Sequence, residues 1–472
     1  MKKPVYISVD VGATNIKMLA AEFDGQRIKC TDSFQTADPP AVKNGHEYVN
    51  TDRILSVIRE GILKFRESSL PVSLGIDTFG NGYGITDKRG MLTEEPHFYR
   101  DGRIDHIREH IHRYYTDRQL YDMTGNFPIK TRGLFHLYQD VIEKSDGIRF
   151  GEHLLPLPSL LEYMITGETG SERTMASVLY MLDRNGENWN FELFRQIGIP
   201  DRLFLPLQDP GIIRGKIAEK FSGTDRIAGI PVVCVAGHDT ESALIAAPGL
   251  DRNSAFISLG TSFIFGARTD APVINDKSYV NGFKNMRGAF GTFSLCRDFP
   301  GFWILERCME QWRKEIPSLD YEGVSRAVKA AGHEKAFIDI GDDRFRVSEG
   351  NILEVIRDYC LESGQKPPEG IPETAASLFG SYARYLKKCM EELQQVTGVK
   401  YRKLIAVNGG VRNRLLMQMF ADTLKIPVVA GSPYASALGN LLIQIYASGE
   451  ISSEKDISEI AGSSTEPVIY ES

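Results

Sequence analysis

Residues 5–23 read VYISVDVGATNIKMLAAEF, and the fold turns on them. Val5 to Val9 is an apolar run of strand length, Asp10-Val11-Gly12-Ala13-Thr14-Asn15 is a polar turn containing a glycine, and Ile16 to Phe23 is a second apolar run. Strand, turn, strand is the simplest reading. The turn closes a buried strand with a carboxylate and then offers backbone N–H groups, the Thr14 hydroxyl and the Lys17 ammonium. That set suits a phosphate chain, with a Mg2+ ion held at Asp10. Alone, such a turn is more often an ordinary hairpin.

The same construction returns later. Ala255 to Ser258 leads through Leu259-Gly260-Thr261-Ser262 into Phe263 to Gly266, a second hairpin whose turn again combines glycine with hydroxyls. Two such hairpins, one opening each half, point to an internal duplication and to a nucleotide gripped from both sides. Two domains follow, 1–247 and 248–472, each the size of a large single domain. The earlier one would carry the first phosphate hairpin and the later one the second.

Around the hairpins the pattern is that of an α/β layer. Ile54, Leu55, Ile58, Ile62, Leu63 and Phe65 recur at helical spacing, and Leu74 to Asp77 reads as a buried strand running into Gly80-Asn81-Gly82-Tyr83-Gly84. The stretch 103–195 is mostly helical in pattern. Ile230 to Ala236 is a further strand, ending in Gly237-His238-Asp239-Thr240. Lys403 to Val407 is a strand, Asn408-Gly409-Gly410-Val411 a turn, and Asn413 to Leu424 an amphipathic helix with Asn413 near its N-cap. Ile426 to Val429 and the small-residue helix from Ala435 complete the alternation, and the tail after Ile451 reads as polar and peripheral.

Composition excludes several classes. In 472 residues, 42% apolar and 25% charged side chains are those of a globular chain with room for large cores. Lys and Arg number 55 against 62 Asp and Glu, a net charge of −7, and the signs alternate along the chain. No basic face for a nucleic acid is expected. Cys30, Cys234, Cys296, Cys308, Cys360 and Cys389 are scattered without a C-x-x-C pair or zinc spacing. No segment reaches the length of apolar residues that a bilayer span needs, and a cytoplasmic location is expected. His106, His110 and His112 stand among Arg108, Glu109 and Arg113, so a solvated helix face is the better reading than a metal cluster.

The nucleotide signatures of P-loop and Rossmann proteins are absent, which leaves the hairpins as the phosphate cradle. Opposite them, a carboxylate at the start of a helix after a buried strand is either a cap or a general base. Phosphoryl transfer needs one carboxylate to accept the proton of the attacking hydroxyl, and Asp239 is the best-situated candidate.

Taken together, VDVGATNIK at 9–17, GIDTFG at 75–80, YRDGR at 99–103, AGHDTESALIA at 236–246, SLGTS at 258–262, DDRF at 342–345, the glycine turn and helix at 408–431 and ASALGN at 435–440 resemble the FGGY carbohydrate kinases of the sugar kinase, Hsp70 and actin superfamily. The resemblance covers nearly the whole chain. It implies two actin-like (RNase H-like) α/β ATPase domains around a central cleft, with ATP and Mg2+ on one side and a ketose on the other. Carried over by motif, Ala13, Thr14, Asn15, Ile16 and Lys17 would contact the ATP phosphates, Thr261 would act at the second hairpin, and Gly410 would line the adenosine site. Gly80, His238, Asp239 and Thr240 would face the sugar. Asp298 and Glu306 occupy positions of a further sugar contact and a further ATP contact, where the family usually has Asn and Gln.

The resemblance further implies ATP-dependent phosphorylation of the C1 hydroxyl of a deoxy-ketose, L-rhamnulose by preference, with L-fuculose or L-xylulose as alternatives. The partners expected are the ketose and ATP, with no nucleic acid or membrane, and a homo-oligomer is compatible with the sequence. The branch that prefers L-rhamnulose continues the GIDTFG segment with Val-Asp-Phe, whereas this chain has Asn81-Gly82-Tyr83, and an acidic group able to bind sugar hydroxyls is missing there. Val411 and Tyr434 replace the family's usual Cys and Glu. A non-catalytic sugar or nucleotide sensor on the same scaffold is the alternative of another class, and retention of Asp239 with both hairpins argues against it.

Overall fold

Three adjacent strands explain the first hairpin. Strand β1 (Pro4–Val11) pairs antiparallel with β2 (Asn15–Phe23), and β2 pairs with β3 (Ile28–Ala37). Helix α1 (Thr51–Ser68) follows, capped by the Asn50 side chain, which accepts the Arg53 N–H at 3.1 Å. It returns the chain to β4 (Leu70–Thr78), which lies parallel to β1. Strands β5 (Ile212–Lys216) and β6 (Pro231–Cys234) complete the order β5-β6-β4-β1-β2-β3 in this computed structural model. Val5, Ile7, Val9 and Val11 are buried, as are Ile54, Ile58, Ile62 and Phe65 of α1 and Leu157, Leu160 and Leu161 of the helix Leu157–Thr166. Burial on both faces is why β1 reads as a continuous apolar run. By contrast β3 is mostly exposed, and its residues IKCTDSFQTA show no clear apolar period that would mark a strand.

The structure describes residues 2–223, 226–332, 335–346 and 350–472, which gather into two units. The first comprises Met1–Ala247 with Thr269–Leu295 and Tyr434–Thr465, and the second Pro248–Arg268 with Cys296–Pro433 and Glu466–Ser472. Two segments of the later half of the chain, Thr269–Leu295 and Tyr434–Thr465, thus group with the earlier half.

The second unit repeats the first unit's hairpin scheme. Strand β7 (Ser254–Leu259) pairs antiparallel with β8 (Ser262–Thr269) and parallel with β9 (Lys403–Val407), which pairs parallel with β10 (Val428–Ala430). In the first unit β1, β2, β4 and β6 stand in the same relations. The Asn413 side chain caps the helix Arg414–Leu424 by accepting the Leu416 N–H at 3.0 Å.

Two expectations change. The stretch read as mostly helical contains the strand Gly151–Pro156, which pairs antiparallel with Tyr83–Asp87 above a second apolar core that includes Ile85, Phe135, Leu137 and Leu154. The tail is not peripheral. Helix Glu454–Thr465 buries Ile457, Ile460 and Ala461 in the first unit, an apolar stripe at helical spacing hidden in a polar composition, and Val468–Tyr470 pairs with β10.

Candidate active site

Parallel register gathers the carboxylates. In the β1–β4 ladder Asp10 stands opposite Asp77, and in the β1–β2 hairpin Asp10 stands opposite Lys17. Strand β6 lies on the other side of β4, and beyond it the Thr78 N–H donates to the Gly237 carbonyl at 2.8 Å. His238 therefore comes to bridge Thr78, and Asp239 follows as the first residue of helix α2 (Asp239–Ile245). Three neighbouring strand ends thus deliver Asp10, Asp77 and Asp239 to one place. Asp239 is not the helix cap: its Oδ1 accepts from the Thr240 N–H at 2.5 Å and lies 3.3 Å from His238 Nε2.

The electrostatics follow from this crowding. Burial pushes the Asp10 carboxyl up, partly offset by Lys17. Burial and then the Asp10 charge push Asp77 well above the carboxylate range. Burial, again followed by Asp10, raises Asp239 to about 7, although its side chain keeps 35% of its exposure. Carboxylates that raise one another in this way favour a shared cation. The Asp77 Oδ1 is buried and accepts no hydrogen bond, so a donor atom is left for such an ion. Oxygen-only ligands of this kind fit Mg2+.

The support beneath the carboxylates comes from the helix Ala435–Ser448. Asn440 Nδ2 donates to Asp77 Oδ2 at 2.6 Å, and Gln444 Nε2 donates to Asn440 Oδ1 at 2.7 Å and to the Ile7 carbonyl at 2.9 Å. Ser73 Oγ donates to Gln444 Oε1 at 2.6 Å. This helix reaches α2 closely because residue 439 is glycine: a Cβ there would collide with the Ser242 carbonyl oxygen. A second support is the fully buried Glu172. Its carboxylate accepts the N–H groups of Thr174 (2.6 Å), Met175 (2.9 Å) and Gly237 (3.1 Å) and the Thr174 hydroxyl (2.7 Å). Asp77, Asn440 and Glu172 were not assigned from sequence. A readable sign for Asp77 was that two apolar strands, ending Val9-Asp10 and Ile76-Asp77, each close on an aspartate. Glu172 carried no such sign.

Of the remaining candidates in the first unit, Thr14 is exposed and Ala13 and Asn15 are half-buried in the β1–β2 turn, where the Gly12 N–H donates to the Asn15 carbonyl at 2.9 Å. The Ile16 side chain belongs to the core, so only its backbone can meet a phosphate. Gly80 packs on Val178 and His238, with His238 Nε2 3.3 Å from where a Cβ would stand. Next to it, Asn81 adopts φ 79°, Gly82 packs on Leu157, and Tyr83 donates its hydroxyl to Asp140 Oδ2 at 2.6 Å. A Cβ at position 82 would stand 3.0 Å from the Leu157 side chain, so an acidic group there requires Leu157 to shift by a few tenths of an ångström.

In the second unit, Thr261 is exposed on the β7–β8 turn. Its carbonyl accepts the N–H of Gly301 (3.1 Å) and of Trp303 (3.0 Å), tying the turn to the start of helix α3 (Phe302–Glu315). Gly410 meets the same place, where a Cβ would collide with the Phe302 ring and approach Leu259. Asn408 precedes it at φ 70° and donates to Ser258 Oγ at 3.0 Å. Glu306 lies on α3, half-buried, with its carboxyl raised by burial, and Asp298 lies on the strand Phe293–Pro300. His106, His110 and His112 do not form a cluster: His106 is exposed, and His112 Nε2 lies 2.9 Å from Asp117 Oδ1.

A hairpin-led sheet built twice, with carboxylates gathered at strand ends, is the construction of the actin-like kinases. Solved structures bear out the fold. A ligand-bound xylulose kinase from Lactobacillus acidophilus superposes with a TM-score of 0.80 at 15% identity, over 99% of this chain and 94% of that one. Glycerol kinase from Plasmodium falciparum with ADP also gives 0.80, at 14% identity over 100% and 94%. The chain belongs to the FGGY family of carbohydrate kinases, whose N-terminal domain matches residues 5–246 and whose C-terminal domain matches residues 255–448. It is similar to the rhamnulokinases of Enterococcus faecalis, 30% identical over 97% of this chain and 91% of that one, and of Bacteroides thetaiotaomicron, 30% identical over 95% and 92%. It is an ATP-dependent sugar kinase that uses Mg2+. Among the described residues no helix is long and apolar enough to cross a membrane.

Proposed function

We propose that the chain transfers the γ-phosphoryl group of ATP to the C1 hydroxyl of L-rhamnulose, with Asp239 as the proton acceptor. The observation that carries the chemistry is the Asp239 carboxylate, held by the Thr240 N–H and raised to about 7 by burial and then by the Asp10 charge, with part of its side chain still accessible. A base so poised accepts the hydroxyl proton at working pH. The C1 oxygen then bonds to the γ-phosphorus, the bond from phosphorus to the β–γ bridging oxygen breaks, and ADP leaves with that electron pair. Asp10 and Asp77 would hold Mg2+, which would supply charge neutralisation at the phosphates. Lys17 and the backbone N–H groups from Ala13 to Ile16 orient the phosphate chain in the first unit. Thr261 serves the phosphates and Gly410 the adenosine in the second, beside Glu306.

The similarity to rhamnulokinases over nearly the full chain supports L-rhamnulose as the acceptor. Gly80, His238 and Thr240 would face it, with Asp298 as a further contact. Gly82, in place of the acidic residue of that branch, favours a second reading in which another ketose, L-fuculose or L-xylulose, is the better acceptor. ADP release measured across a ketose panel tests both. The highest kcat/KM is expected for L-rhamnulose; turnover of L-fuculose or L-xylulose with none of L-rhamnulose would overturn the assignment.

A further inference from the structure

Away from the carboxylates just described, two imidazoles and one carboxylate converge in the first unit. His46 lies on the short strand His46–Tyr48, His97 lies just ahead of the segment Tyr99-Arg100-Asp101-Gly102-Arg103, and Asp101 sits at the start of the turn Gly102–Ile104. One ligand atom from each residue falls within 4.8 Å of the other two. His46 Nδ1 is 3.0 Å from Asp101 Oδ1, and His97 Nδ1 is 3.7 Å from the same oxygen. The two imidazole rings stand edge to face, 88° apart, with centroids 5.9 Å apart.

We infer that His46, His97 and Asp101 form a binding site for a divalent transition metal, Zn2+ being the best match. Ligands at about 2.0–2.1 Å from a tetrahedral Zn2+ stand roughly 3.3 Å from one another, and the two nitrogen-to-oxygen separations bracket that value. Two imidazoles with one carboxylate are a ligand set that Zn2+ takes readily, with solvent in the fourth position.

Two of the ligands are in a suitable state, and His46 Nδ1, which hydrogen-bonds to Asp101 Oδ1 at 3.0 Å, would give up that shared proton when the metal binds. His97 Nδ1 is buried and makes no hydrogen bond, so its lone pair is uncommitted. Burial, followed by the Arg103 charge, keeps this imidazole neutral, with its pKa lowered to about 3. Desolvation works against the Asp101 charge, but the N–H groups of Glu47 (2.6 Å) and Arg103 (3.1 Å), together with His46, hold its carboxyl below the ordinary value. Those two N–H donors also orient the carboxylate, the usual office of groups one step out from a metal. The Arg103 guanidinium is engaged by Asp140 at 2.5 Å and Glu143 at 3.2 Å, which tempers its repulsion of a cation. His46 keeps 44% of its side-chain exposure and provides the way in from solvent.

A metal here would clasp the 41–48 hairpin to the segment 97–103. That segment carries Tyr99, whose carbonyl lies 3.1 Å from His136 Nε2 and whose hydroxyl feels the Asp239 charge.

Co2+ added to the metal-free full-length chain is the test, because four-coordinate Co2+ absorbs strongly in the visible and six-coordinate Co2+ on carboxylates does so weakly. One equivalent is expected to give the strong four-coordinate spectrum and to be displaced by Zn2+. His46→Ala, at a half-buried position, is expected to abolish that spectrum while the metal-free protein still melts in one cooperative transition. His97→Ala is expected to weaken Zn2+ binding by at least about 100-fold. A weak six-coordinate spectrum in the unaltered chain, or a strong one that survives both substitutions, overturns the site.

Discussion

Replacing Gly439 by alanine tests how the carboxylate centre is supported. In the wild-type chain the helix Ala435–Ser448 passes so close to α2 that residue 439 has no room for a side chain. An alanine Cβ needs ordinary van der Waals separation from the Ser242 carbonyl, so one helix must retreat by roughly 1.5 Å in a close-packed interior. Overpacking of this kind costs about 1–3 kcal/mol. The retreat also draws Asn440, the next residue, away from Asp77, where it now donates at 2.6 Å. A hydrogen bond to a charged group contributes about 1.5–3 kcal/mol, so a total loss of about 2.5–6 kcal/mol follows. Activity falls as well, since α2 begins at Asp239 and a misplacement of about 1 Å at a reacting group reduces rate by about 100-fold. Thermal denaturation and kcat with the preferred ketose read the two effects. Wild-type melting temperature together with wild-type kcat would refute this account of the helix contact. Gly439→Ser should be at least as damaging, since it carries the same Cβ.

Three further outcomes are expected. Asp239→Asn keeps the shape of the turn but removes the proton acceptor, so kcat should drop by about 100- to 10,000-fold with ATP affinity little changed; near-normal kcat in a steady-state assay refutes the base assignment. A carboxyl raised to about 7 is protonated, and useless as a base, below that pH, so kcat/KM at limiting Mg-ATP should fall about tenfold per pH unit on the acid side; a flat profile down to pH 5 contradicts this. Buried Glu172 is raised from 4.5 to about 7 by desolvation against its hydrogen-bond donors. Its folded form binds a proton more readily than its unfolded form, so its contribution to stability is full below pH 4.5 and is lost as pH rises through 7. Glu172→Gln should accordingly cost about 3 kcal/mol more at pH 4.5 than at pH 8 by denaturant melts, and an equal cost at both pH values argues against it.

The parts legible in the sequence were those whose residues act locally. The two hairpins, the buried strand closing on Asp77, the Asn413 cap and the placement of Asp239 after β6 each follow from a short run of apolar residues and its terminating turn. What stayed hidden depends on partners far along the chain. Asn440 lies 363 positions from Asp77, and Glu172 lies 65 from Gly237, so neither contact leaves a periodic trace. Strand β3 is an exposed edge strand without a clear apolar alternation, and the helix Glu454–Thr465 carries its apolar stripe on a polar background. The departure at Asn81-Gly82-Tyr83 was visible as a missing acid. Its physical content, a glycine packed on Leu157 and a tyrosine turned to Asp140, needed the backbone.

The return of Tyr434–Thr465 to the first unit bears on synthesis. A ribosome that has released residues 1–247 has made every candidate for proton transfer, yet Asp77 still lacks its Asn440 donor and the Ile7 carbonyl its Gln444 donor. A nascent chain at that stage carries a buried carboxylate with nothing to hold it, and the first unit must wait, incompletely formed, while nearly all the remaining residues emerge. The last helices of the chain thus act as a completion check: a truncated product that stops before residue 434 contains the reactive groups and lacks the scaffold that arms them.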